Sequence, residues 1–115
     1  MDYYLLADMT VQIGYELAVA GAETYRVEET MRRVIEAYGT EGQVFAIPNC
    51  VAVSFVTPNT KPLTIMKRVG YHGNDLERIE KLNALSRRIC AEVPDPETAQ
   101  RWLKETTAAV RSYAV

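Results

Sequence analysis

The sequence predicts an α+β fold of order ααβββαα: a helical hairpin, a three-stranded antiparallel meander and two C-terminal helices, with the helices packed on one face of the sheet. Three observations carry this. Apolar residues recur at helical spacing from Leu6 to Tyr38, the period drops to two between Gln43 and Val69, and helical spacing returns from Leu76 onward. No repeat or linker interrupts the order. The 115 residues therefore read as one domain, long enough to bury roughly two-thirds of its unfolded surface.

The first helix is expected from about Asp2 to Ala20, with Leu6, Met9, Ile13, Leu17 and Ala20 as its apolar stripe. Gly21 is the natural stop, free to take the left-handed conformation that closes a helix. The second helix presents Val27, Met31, Val34, Ile35 and Tyr38 on one face and ends at Gly39. So short a connection favours an antiparallel hairpin.

QVFAI, CVAVSFV and PLTIMKRV are β-branched and aromatic runs, separated by Pro48-Asn49 and by TPNTK. On the middle strand Val51, Val53 and Phe55 share one face. Cys50, Ala52 and Ser54 share the other, a small and mildly polar surface suited to solvent or to another copy.

Asn74 is expected to cap the third helix, since Asn74 and Glu77 have the spacing of a capping box. That helix runs to about Cys90, with Leu76, Ile79, Leu82, Ser86 and Ile89 along its buried side. Asp95 and Pro96 open the fourth helix, as cap and first turn. Its inner stripe is Ala99, Trp102, Leu103, Thr106, Val110 and Tyr113. TAAVRSYAV stops within a helical pattern that no Gly, Asn or Pro closes; a frayed natural terminus would look the same, but a chain cut from a longer protein is the expectation.

Apolar residues make up 48% and charged residues 24%, a globular balance, and the net charge of -2 argues against a nucleic-acid partner. Cys50 and Cys90 lack metal-ligand spacing and are expected to be buried thiols in a reducing compartment. The start MDYYLLADM has neither a basic n-region nor a long apolar run. VFAIPNCVAVSFV is broken by Pro48, Asn49 and Ser54 and falls short of the ~20 apolar residues of a membrane helix. The chain is expected to be soluble and cytosolic.

Most catalytic signatures are missing: there is no phosphate-binding Gly-rich loop, no HExxH, no CxxC and no GxSxG. His72 is the single histidine and is expected to be a solvated loop residue, which leaves no two-His metal site and no expected cofactor. On the second helix Glu28 precedes Arg32, and Glu29 precedes Arg33, by four residues; with Glu36 they suit a solvated, salt-bridged face. Glu23 and Glu28 flank the apolar stripe from opposite edges, with Thr24 inside it as a candidate cap, while Arg26 points away. The two glutamates suit either a structural cluster with Lys67 or Arg68 on the third strand, or a ligand site. Asn83 lies on or beside the buried face of the third helix, as a tie to a carbonyl or as a polar group in a pocket.

These awkward residues carry a family resemblance. GAETYRVEETMRRVIEAYG, then IPN between two strands, then KRVGYHGNDLERIEKLNALSRRI, resemble the soluble N-terminal domain of the threonine/serine exporter family. The matching positions are Gly21 and Ala22, Arg26 to Glu28, Pro48, Lys67 and Arg68, Gly73 and Leu76, and Asn83, with PDPETAQRWL similar to the family's final helix. The resemblance implies a membrane efflux protein for small amino acids or dicarboxylates such as succinate. It also implies membrane helices after this domain, or on a separate membrane partner, with the domain on the cytoplasmic side. It implies no catalytic role.

The leading expectation is a non-enzymatic cytosolic domain acting in assembly, gating or substrate sensing. Arg26 and Arg68 would hold a carboxylate, with Glu23, Glu28 and Asn83 orienting them. A second reading is a small hydrolase-like enzyme with Glu23 or Glu28 as base, together with His72. A third is a homo-oligomerisation module pairing through its free sheet face and strand edges.

Overall fold

The computed structural model describes residues 1–58 and 61–111, with residues 110 and 111 described by backbone alone. Seven elements follow in the expected order: α1 (Tyr3–Ala20), α2 (Thr24–Ala37), β1 (Gly42–Ile47), β2 (Cys50–Val56), β3 (Pro62–Arg68), α3 (Leu76–Glu92) and α4 (Pro96–Arg111). The three strands form one antiparallel sheet in sequence order.

α1 sits at the centre of the molecule, against α2, α3, α4, β2 and β3. Eleven of its 18 residues are buried, including Thr10, Gly14 and Glu16 beside the expected Leu6, Met9, Ile13, Leu17 and Ala20. The single stripe read from the sequence thus understates it. A helix enclosed on several sides is apolar nearly all round. Gly14 is part of that enclosure, because a side chain there would run into the Met31 sulfur of α2.

α1 and α2 lie against the sheet, α2 beside β1 and α1 beside β2 and β3. α3 and α4 stack on the helical layer and on each other. The core is closed by Val51, Val53 and Phe55 from β2, Met31, Val34 and Ile35 from α2, and Leu82, Leu85 and Ile89 from α3. From α4, Ala99 and Leu103 are buried, while Trp102 and Thr106 are half-buried. Tyr113 and the side chain of Val110, also placed on that stripe, lie outside the described residues.

The helix ends refine the expectations. Asp2 caps α1 by accepting from the Leu5 N–H at 3.0 Å. Gly21 closes it with φ at 101°, and the Gly21 and Ala22 N–H groups return to the carbonyls of Ala18 and Leu17. α2 begins at Thr24 behind Glu23, whose side chain makes no capping bond. α3 is capped by Asp75, not Asn74: the Asp75 carboxylate accepts from Arg78 N–H at 3.0 Å. A neighbouring Asp offers a full charge to the positive helix end, where Asn offers a dipole. α3 then runs two residues past Cys90 and ends at Val93 with φ at 44°.

Three connections meet at one end of the molecule. The Gly73 N–H donates to Val19 O at 2.7 Å and the Asp75 N–H to Ala20 O at 2.9 Å, so the β3–α3 loop runs along the end of α1. The Val69 N–H donates to Asn49 O at 2.9 Å, joining the β1–β2 turn to the same loop.

Candidate functional site

α2 and α3 lie side by side and leave a groove of about 600 Å³ between them. From α2 it is lined by Arg26, Glu29, Thr30, Arg33 and Glu36, each with another of the set three or four residues away. From α3 it is lined by Asn83, Ser86, Arg87, Cys90 and Ala91 at the same spacing. The apolar stripe of α2 turns to α1 and the sheet, so this second face is free to border α3.

Charge within the groove is partly committed. Arg33 pairs with Glu29 at 2.5 Å, and both are largely solvated. Arg26 lies 5.6 Å from the centre of the Tyr25 ring. Among the described residues Arg26, Arg87 and Glu36 form no ion pair. The Ser86 hydroxyl donates to the Asn83 carbonyl at 2.8 Å. Burial pushes the Cys90 thiol above its ordinary 9.0, against the opposing pull of Arg33. Near one end of the groove the Tyr38 hydroxyl donates to Pro94 O at 2.5 Å. Burial raises that phenol from 10.0 to about 12, with further contributions from Asp95 and Cys90.

The five residues singled out from the sequence fall in three places. Arg26 and Asn83 face the same groove from opposite walls. Glu28 turns toward the sheet: one carboxylate oxygen accepts from the Ala46 N–H at 3.2 Å and the other pairs with Arg32 at 3.0 Å. Glu23 lines a smaller cleft of about 200 Å³ with Thr24, Pro48 and His72. Arg68 ends β3 on the outer face of the sheet, exposed and opposite Cys50. Neither Glu23 nor Glu28 meets Lys67 or Arg68 among the described ion pairs. Lys67 instead donates to Gln12 at 3.1 Å and lies 4.3 Å from the Tyr15 ring centre.

Several polar residues were not anticipated. Arg87 follows Asn83 by four and Arg33 follows Arg26 by seven, so helical spacing alone would have put them in the groove. His72, expected to be free, has Nδ1 3.2 Å from Ala18 O and Nε2 against Pro48 O, which ties the β1–β2 turn to the end of α1. Glu16 and Arg78 pair at 2.5 Å with only 7% and 13% of their side chains exposed. The Gln12 amide joins them, donating to Glu16 at 3.0 Å while accepting from Lys67. Cys50 and Cys90 are both free thiols, half-buried where buried ones were expected.

Among the described residues no helix is long and apolar enough to cross a membrane. A family model described as "Putative threonine/serine exporter" matches residues 8–115. The chain belongs to this family. No curated protein and no solved structure matches the chain. The matched span begins within α1 and takes in every later element of this exporter-family domain, both walls of the groove included.

Proposed function

We infer that this chain is the cytosolic domain of a membrane exporter for threonine and serine, and that its α2–α3 groove senses the transported amino acid. Family membership supports the transport setting. The observation that carries the sensing role is the unpaired charge in the groove: guanidiniums of Arg26 and Arg87 from opposite walls, and the carboxylate of Glu36. An α-amino acid presents one carboxylate and one ammonium. Arginine holds a carboxylate through two parallel N–H···O bonds, and Glu36 complements the ammonium. Asn83 adds an amide beside Arg87. A dicarboxylate such as succinate suits the arginines equally but meets Glu36 as a like charge, so the groove favours the amino acid.

The domain is a binding module on this reading. Glu28, one of the two candidate bases of a hydrolase-like alternative, already engages Ala46 N–H and Arg32, and acting as a base would disturb both contacts. Isothermal titration with threonine, serine and succinate tests the reading. Threonine and serine are expected to bind more tightly than succinate, and Arg26→Ala and Arg87→Ala to weaken them at least about tenfold, the loss of one charge-assisted hydrogen-bond pair. Arg68→Ala, on the far side of the sheet, is the control expected to bind as the parent does. Absence of heat with all three ligands, or binding indifferent to both groove arginines, would overturn it.

A further inference from the structure

One face of the sheet packs on α1 and α2; the other is open. Its outward positions are Gln43, Phe45 and Ile47 on β1, Cys50, Ala52, Ser54 and Val56 on β2, and Pro62, Thr64, Met66 and Arg68 on β3. Phe45, Val56 and Met66 expose 53%, 66% and 68% of their surface, against a buried inner face. Arg68, at one corner, is the single charge among these positions. Gln43, Ser54 and Thr64 form a polar row across it, but exposed apolar side chains as large as Phe45 and Met66 mark a contact surface.

We propose that this face binds the same face of a second copy of the chain, about a two-fold axis lying between the two sheets and parallel to β2. Three features select that occupant. The face is nearly uncharged, so it offers a charged partner nothing to complement, and a second copy brings no opposing field beyond the corner guanidiniums. The central row is self-complementary: Phe45, Ala52 and Met66 are paired across the strands in register, large, small, large. Rotation about the axis sets Phe45 over Met66 of the second copy, twice, with the Ala52 pair between them leaving room for both. Aromatic–thioether contacts are favourable, and sheets stack at ~10 Å in this manner. Third, edge-to-edge association is blocked on β1, where Glu28 occupies the Ala46 N–H.

The area sets the strength. Three strands ~4.8 Å apart and seven residues long at ~3.3 Å each give a face on the order of 300 Å² in projection. A standard interface buries ~800 Å² per partner, so this is a weak dimer, assembled at high micromolar concentration. The same axis sets every outward β2 residue against its own counterpart, and Cys50 is one of them. Two Cys50 thiols then lie across the interface, about one sheet spacing apart, too far for a disulfide but within the span of a short bis-maleimide.

The test is light scattering and sedimentation of the parent chain from about 10 μM to about 1 mM, with bis-maleimide cross-linking alongside. The mass is expected to rise from one chain toward two. Cross-linked dimer is expected in the parent and in Cys90→Ser and to be lost in Cys50→Ser. Ala52→Glu puts two carboxylates on the axis and is expected to weaken association at least about tenfold. Met66→Lys, on an edge strand, serves the same purpose should Ala52→Glu disturb folding by circular dichroism. A monomer at every concentration overturns the proposal and leaves the face to a different partner. A dimer indifferent to both variants, or one that Cys50 does not cross-link, overturns it in favour of another surface.

Discussion

Two backbone positions decide how the helices stop. Gly21 combines a φ of 101° with a close approach: a Cβ there would run into the Gly73 carbonyl. Gly21→Ala therefore carries left-handed strain and a backbone clash together, and is expected to cost at least about 2 kcal/mol. Urea denaturation measures it; a loss under about 0.5 kcal/mol would mean that the loop simply moves aside. Val93 is the opposite case. It holds φ at 44° although β-branched, and it is 42% exposed, so little packing depends on its side chain. Val93→Gly is expected to stabilise by about 0.5–1 kcal/mol, strain relief outweighing the entropy of a freer unfolded chain. Tyr38 links residue chemistry to pH. Its phenol titrates higher in the fold, about 12 against 10.0, so the folded chain keeps a proton that the unfolded chain releases. The resulting stability is complete below pH 10 and is lost as pH rises toward 12. Melting temperatures between those values should fall less steeply in Tyr38→Phe; parallel curves would remove Tyr38 as the cause.

At the scale of elements, α1 and α3 are joined by the ion pair least visible in the sequence. Glu16 stands seven residues after Met9 and four before Ala20, inside the apolar stripe, and that misplaced charge was the available signal. Its partner was not legible, because Arg78 reaches α1 only through the loop that Gly21 and Gly73 bring together. The Nε of Arg78 is buried without a partner, so the pair is incompletely satisfied. Truncating one member leaves a buried charge alone, and Arg78→Ala is expected to cost about 3–5 kcal/mol. Glu16→Leu combined with Arg78→Met should recover most of that loss. A double variant no better than either single one would mean that the pair organises the interface as well as neutralising it. The type and order of all seven elements were readable from period alone, whereas the α3 cap, the exposure of Leu76 (expected on the buried side of α3) and the burial of α1 were not. Asn74 and Asp75 are both cap-forming residues one position apart, and the number of neighbours around a helix is a property of the tertiary fold.

For the whole molecule, the sequence grouped Arg26 and Asn83 with Glu23, Glu28 and Arg68 as one carboxylate site, by residue type and family position alone; packing of α2 on α3 brings only Arg26 and Asn83 to one groove. Arg68 stood beside them in that reading, and the strand carries it to the opposite side of the sheet. Residues far apart in sequence become one site only through the layer order, which no local pattern encodes. The two surfaces of interest, groove and open sheet face, therefore lie on different layers, and each can be altered with the other left intact. One last feature makes the outer layer observable. Trp102 is the only tryptophan, half-buried on α4, with the Arg88 guanidinium of α3 lying 3.6 Å from its ring centre. Its emission is thus an optical reporter of whether α4 remains seated on α3. Followed through denaturation beside far-ultraviolet circular dichroism, the two signals should trace one transition if the layers melt together. An indole signal that shifts first would mark α4 as a detachable lever on an otherwise intact domain.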